Sequence, residues 1–244
     1  MPDLATQLVI ANRILAREDV VDAYGHISAR NPDRPDQFLL SRSRSPQHVQ
    51  LDDIMEFDLE GRCTSDDPRP PYIERFIHAA IYAHRPEVHS VVHAHTEALL
   101  PFTITDVPLV PVIHSGSEMG TVVPKWDISD AFGDSTDLLV SNMDMGNDLA
   151  DRLGSHSVVL MRGHGFAAAD QSILTTVGMT VYLARNARVL LAARNIGAFK
   201  PLSAGEAEGR KRTPGSNFDP DSPAVRRSWD YWATRAGCAE LLDD

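Results

Sequence analysis

Val88-His89-Ser90-Val91-Val92-His93-Ala94-His95 and Val158-Val159-Leu160-Met161-Arg162-Gly163-His164-Gly165 are two short apolar runs that each lead into histidine. Their β-branched and aliphatic content, bounded by turn residues, predicts buried strands. Strand side chains alternate between faces, so His93 and His95 point the same way, with Cα atoms roughly 6.6 Å apart. That spacing lets two imidazole nitrogens reach one ion at about 2.0–2.1 Å. His164 lies between two glycines, whose missing Cβ lets the backbone come close to a ligand or a neighbouring strand. A third histidine from an adjacent strand end completes a facial set of three neutral ligands with open positions. Alone, His-x-His is equally well a hydrogen-bonded surface pair, and Gly-His-Gly is a weak pattern. Together, at strand ends where open sheet sites form, they predict a divalent-metal centre.

Working outward, Leu4, Leu8, Ala11 and Leu15 recur at helical spacing and predict a helix that ends near Asp19. Tyr24 to Arg30 reads as a turn entering a strand, with Phe38 to Ser41 as its hairpin partner, then a polar loop from Ser41 to Gln47. Ile54 to Leu59 alternates as a further strand. Pro68, Pro70 and Pro71 break the chain before a helix over 73–84, with Phe76, Ile77, Ala80 and Ile81 as its buried stripe. Leu109 to His114 is an apolar run interrupted by Pro111, hence an edge strand at best. A long helix is predicted over 172–195, with Gly197 past its end. Strands mixed with helices, several in hairpins, indicate an α/β sandwich rather than a doubly wound sheet. Residues 1–202 form the metal-binding domain in this division. Residues 203–244 comprise a polar surface loop, Ser203 to Ser222, and a short helix carrying Trp229 and Trp232. Those indoles pack on their own subunit or belong to a lid or interface arm.

The bulk numbers exclude several classes. With 34 acidic against 23 basic residues, the net charge is −11, a field that repels nucleic-acid phosphates and anionic membranes. Cys63 and Cys238 have no ligand-like spacing, so neither a disulfide framework nor a thiolate zinc site is expected. Neither a signal sequence nor a membrane span is legible, and a cytoplasmic location is expected. A chain of 244 residues buries enough surface to fold without a structural metal. The metal is therefore expected to be catalytic.

Glu74 opens the helix that follows Pro71. A carboxylate there is either a helix-terminus charge worth roughly 0.3–1 kcal/mol or, beside a cation, a general acid/base. His78, one turn later, reads as a core or supporting group rather than a ligand. His114 ends its own apolar run and is a candidate polar group in the cleft.

Taken together, Pro71…Glu74, Val92-His93-Ala94-His95 and Arg162-Gly163-His164-Gly165 resemble the class II aldolase/adducin family. Gly25-His26-Ile27-Ser28-Ala29-Arg30 is similar to that family's early Gly-Asn-Ile-Ser segment, and Tyr82…Arg85-Pro86-Glu87-Val88 to the run before its histidine pair. The resemblance spans about residues 5 to 195. It implies that His93, His95 and His164 hold a divalent metal (Mn, Zn or Fe) and that Glu74 is the acid/base. It also implies a single-domain α/β/α sandwich around a mixed, mainly antiparallel sheet, assembled as a homotetramer with sites between subunits.

The departures narrow the chemistry. Where family members that act on sugar phosphates carry phosphate-binding residues, this chain has His26, then Ser41-Arg42-Ser43, then Tyr72-Ile73. Ile73 has no side-chain donor. Tyr72, His26, Ser41, Arg42, Ser43, Arg75 and His114 better suit a flat, carboxylated small molecule, although each arginine singly also reads as solvated loop charge. These segments most resemble the branch of hydroxymethylpyridine-dicarboxylate and hydroxyaromatic-acid decarboxylases. The expected activity is a lyase that removes CO2 from a hydroxy-substituted aromatic or heteroaromatic acid. Aldol cleavage of a non-phosphorylated hydroxy-carbonyl compound is the alternative, with a non-heme iron oxygenase behind it. A non-catalytic scaffold is disfavoured, because all three histidines and Glu74 are kept.

Overall fold

The computed structural model describes residues 1–213 and 219–242. Helix α1 (Leu4–Arg17) starts where the Asp3 carboxylate accepts the Thr6 N–H at 2.8 Å, an N-cap bond that satisfies one orphan donor. The strands are β1 (His26–Arg30), β2 (Gln37–Ser41), β3 (Ile54–Asp58), β4 (Ser90–Ala94), β5 (Lys125–Trp126), β6 (Val158–Met161) and β7 (Gly165–Asp170). Between and after them come α2 (Arg75–His84), α3 (Leu100–Ile104), α4 (Ile128–Phe132), α5 (Met143–Leu153), α6 (Ile173–Ile196), α7 (Ala204–Lys211) and α8 (Pro223–Arg235).

The seven strands form one sheet in the order β3-β2-β1-β4-β7-β6-β5. Every neighbouring pair is antiparallel except β5 with β6. Alternation along the strands sends Ile27, Val92, Leu160 and Phe166 to one face, where they pack with residues of α1, α6 and α8. Phe38, Phe57, Val91 and Val159 go to the other, against α2 and α5. Both faces are thus covered by helices, which is the α/β/α sandwich that the sequence predicts. Each fully buried aliphatic side chain contributes about 1.5–3 kcal/mol over an exposed one, and both layers depend on it.

Three segments differ from the sequence expectation or refine it. Leu109 to His114 is not a strand. Its backbone partners are on the side chain of Asn186 in α6, which accepts the Val112 and Ile113 N–H groups at 2.8 and 3.2 Å and donates to the Val110 carbonyl at 2.9 Å. His114–Met119 then forms a 3₁₀ segment. The Ser203 to Ser222 stretch is not all loop, since it contains α7, started by a reciprocal Ser203–Glu206 capping box; residues 214–218 lie outside the described residues. In α8, Trp229 and Trp232 are buried in the same apolar layer as α1 and α6, and Trp232 meets the ring of Tyr182 edge-on at 5.7 Å. The indoles therefore pack on their own subunit. No helix among the described residues is long and apolar enough to cross a membrane.

Candidate metal centre

The site sits where β4 ends and β7 begins. β4 and β7 are antiparallel neighbours, with His93 opposite Ala167 and Ala94 opposite Phe166, so the C-terminus of one strand lies beside the N-terminus of the other. His164 reaches the same end from the turn before β7, where Gly163 adopts a left-handed φ of 64° that glycine accepts without strain. His95 lies one residue beyond β4.

The three imidazoles converge through one nitrogen each. His95 Nε2 is 3.0 Å from His93 Nε2 and 3.0 Å from His164 Nε2. Nitrogens held about 2.0–2.1 Å from a common ion are separated by roughly 2.8–3.4 Å across octahedral and tetrahedral geometries, so the spacing fits. Glu74 Oε2 stands 3.2 Å from His93 Nε2 and 3.5 Å from His164 Nε2. The ligand atoms of Glu74, His93, His95 and His164 all lie within 4.8 Å of one another.

The donor chemistry fits a cation as well as the spacing does. His93 Nδ1–H donates to the Phe166 carbonyl at 3.0 Å. That bond fixes the tautomer, leaving the Nε2 lone pair directed into the cluster. Burial first, then the neighbouring His93 and His164, push His95 down to about 4, so its imidazole is neutral near pH 7. One divalent cation would meet the three converging nitrogens together, with the Glu74 carboxylate beside it. The cluster can hold a divalent metal ion.

Glu74 ends its loop immediately before α2 and is buried. Its Oε1 accepts the Val140 N–H at 3.2 Å, which orients the carboxylate. Burial alone would raise its pKa, but His93 and His164 outweigh burial and hold it well below the usual carboxylate range.

The other sequence candidates fall in different places. His26 is brought to the site. It is the register partner of His93 across β1 and β4, with ring centroids 5.3 Å apart, and the Tyr72 ring covers it at 4.3 Å. Tyr72 donates its hydroxyl hydrogen to the Arg44 carbonyl, and Ser41 is buried at the end of β2. Arg42 and Arg44 spend their guanidinium groups on the buried Asp53, at 2.6 and 2.8 Å. Ser43 is exposed, with its N–H donated to the Pro70 carbonyl. Arg75 donates to the carbonyls of Gly61 and Tyr72 at 2.6 and 2.9 Å. His114 is exposed and outside the four-residue cluster. Partial desolvation and the charge of Arg210 lower its pKa.

Sequence patterns did not single out Ser28 and Tyr82, and gave His78 only a supporting place. In the structure His78 bridges His26 and Ser28, and Ser28 continues to Tyr82. The i, i+4 spacing of His78 and Tyr82 after Glu74 was the available signal. In front of His95 lies an open cavity of about 720 Å³, bordered by Val20, Val21, His95, Thr96, Pro101 and Arg188. This is within the size range of small-molecule pockets. Arg188 has no ion-pair partner among the described residues.

Residues 6–191 match the Class II Aldolase and Adducin N-terminal domain. The chain belongs to that family. Across 241 aligned residues it is 38% identical to the decarboxylase tropJ of Talaromyces stipitatus, covering 90% of this chain and 88% of that one. It is also 26% identical to a 3,4-dihydroxyphthalate decarboxylase of Arthrobacter keyseri, covering 80% and 81% of the two chains. Among solved structures, an aldolase II superfamily protein from Pseudomonas syringae superposes with a TM-score of 0.79 at 21% identity, over 98% of this chain and 93% of that one. That likeness establishes the fold. The protein is an enzyme of the class II aldolase family.

Proposed function

We propose that the protein is a divalent-metal-dependent lyase that decarboxylates a hydroxy-substituted aromatic or heteroaromatic carboxylic acid. The observation that carries this reading is the 38% identity with a decarboxylase over 90% of the chain, a span that includes every residue of the cluster. The aromatic wall beside the cluster, formed by Tyr72 against His26, supports a flat substrate. Ile73, which can donate no side-chain hydrogen bond, agrees with a substrate that has no phosphate.

His93, His95 and His164 would hold the ion, with Mn, Zn and Fe all compatible with imidazole ligands. When bound, it supplies a Lewis acid that draws off the electron pair left behind as the bond to CO2 breaks. The chain's own residues do the rest. Tyr72 and His26 orient the ring, while Arg42 and Arg75, through Asp53 and the Gly61 and Tyr72 carbonyls, hold the Ser41–Ser43 loop and Tyr72 in place. Glu74, ionised and aimed by the Val140 N–H, takes the proton of the substrate's ring hydroxyl and passes it to the ring carbon as CO2 leaves. His114 is available to a cleft closed by another subunit of a homotetramer.

The test is metal analysis of the purified protein coupled to a CO2-release screen over hydroxyaromatic acids, with O2 uptake recorded in parallel. Metal-dependent CO2 release without O2 uptake is expected. Cleavage of a non-phosphorylated hydroxy-carbonyl compound with no CO2 release would instead establish the aldolase, and O2 consumption with Fe(II) the oxygenase.

A further inference from the structure

We infer that Tyr82, Ser28 and His78 form a one-way hydrogen-bonded chain that holds His26 as an Nε2–H donor toward an anionic oxygen of the substrate, a carboxylate or phenolate. The inference deepens the decarboxylase reading and rests on it for the identity of the acceptor. All four residues are buried, with exposures of 3% for His26, 0% for Ser28 and His78, and 1% for Tyr82. The links are short and continuous. His26 Nδ1 is 2.7 Å from His78 Nε2, His78 Nδ1 is 2.6 Å from Ser28 Oγ, and Ser28 Oγ is 2.8 Å from the Tyr82 hydroxyl.

Proton counting fixes the direction. A buried phenol hydrogen needs an acceptor, and Ser28 Oγ is the one beside it, so Tyr82 donates to Ser28. Ser28 has a single hydroxyl hydrogen and passes it to His78 Nδ1. His78, neutral because of its burial, then carries its proton on Nε2 and donates to His26 Nδ1. A neutral His26 with Nδ1 accepting has its proton on Nε2. In the reverse direction Ser28 would donate to Tyr82, the phenol hydrogen would have nowhere to go, and His26 Nε2 would be bare. With Nδ1 taken up by His78, Nε2 is the ring nitrogen left for another partner. The His26 ring lies 5.3 Å from that of His93, centroid to centroid, at the end of the sheet that carries the metal-capable cluster. His26 does not belong to the metal-capable cluster, so Nε2 is assigned to substrate and not to the ion. A fully satisfied buried polar row holds its members in one arrangement. Its use is to set one tautomer.

Nitrogen-15 histidine NMR of the zinc-loaded protein tests this without any substrate, with His26 assigned by its loss in His26→Gln. The expected result is a protonated Nε2 and a bare Nδ1 for His26, giving way to a tautomer mixture in Tyr82→Phe and Ser28→Ala. A bare Nε2 in the unaltered protein overturns the inference. So does a Tyr82→Phe protein that loses its zinc, which would assign the chain to supporting His93 instead. With a hydroxyaromatic acid that the enzyme decarboxylates, Tyr82→Phe should raise KM about 5- to 10-fold, the scale of one net hydrogen bond, and change kcat less. An unchanged KM there overturns the role toward substrate. Failure of every acid to release CO2 would count against the decarboxylase reading and leave the NMR result to decide the tautomer.

Discussion

Gly165 and Ala94 meet so closely where β7 begins and β4 ends that a Cβ on residue 165 would collide with the Ala94 carbonyl oxygen and stand 3.1 Å from the His95 Cα. The missing side chain is therefore what lets His164 and His95 share one site. Gly165→Ala should push the strands apart, cost about 1–3 kcal/mol as overpacking does, and weaken metal binding at least tenfold. Calorimetric unfolding and chelator competition measure the two effects. Unchanged metal affinity would show that the close approach does not set the site.

His95→Ala and His164→Ala should each strip the metal while the melting temperature of the metal-free protein barely moves. His93→Ala should strip it too, with a lower melting temperature, because His93 is fully buried and bonded to the Phe166 carbonyl. Metal content after dialysis is the readout. Full occupancy and turnover in any one variant would remove that residue from the ligand set.

Glu74→Gln should retain metal and lose turnover by roughly 10²–10⁴-fold, the usual scale for a positioned acid/base. Because Glu74 Oε2 lies 3.2 Å from His93 Nε2, the carboxylate is also within reach of the ion. Loss of metal in Glu74→Gln would reassign it as a ligand, and near-normal turnover would leave it a helix-end charge.

Asp53 ties the loop under Tyr72 together, accepting from Arg42, Arg44 and the Gln50 N–H. Burial would raise its pKa, but those three donors outweigh burial and lower it. A carboxyl whose folded pKa lies below its unfolded value of about 3.9 contributes stability that is fully present above that value. The contribution is lost as pH falls through the folded pKa. Asp53→Asn should therefore destabilise the protein by about 1–3 kcal/mol near neutral pH, with the difference shrinking below roughly pH 4. Urea titrations at several pH values check it, and a pH-independent difference would refute the linkage.

A homotetramer is expected in solution, with clefts closed between subunits. Light scattering at micromolar concentration measures it. A monomer that turns over normally would place the whole site within one chain.

The sequence alone determined the secondary elements that matter and which histidines gather in the metal-capable cluster. Period-two alternation and apolar runs located β1 to β4, β6 and β7, because a strand buried on both faces must be apolar along its length. His93, His95 and His164 were legible because they terminate such runs. The Ser203-to-Glu206 capping box was equally available, and predicting a polar loop there overlooked a local signal that starts α7. Other features were decided by tertiary structure. Leu109 to His114 has strand-like composition, but the Asn186 side chain, 76 residues beyond Val110, takes its backbone bonds and no ladder forms. Arg42 and Arg75 look like substrate arginines in one dimension. Their actual partners are Asp53 and two carbonyls, set by how loops pack rather than by local pattern. The pairing of His26 with His78, and of Ser28 with Tyr82, needs β1 laid against α2. Residues 52 and 54 apart share no sequence periodicity, and only the closed fold brings their polar atoms within hydrogen-bonding distance.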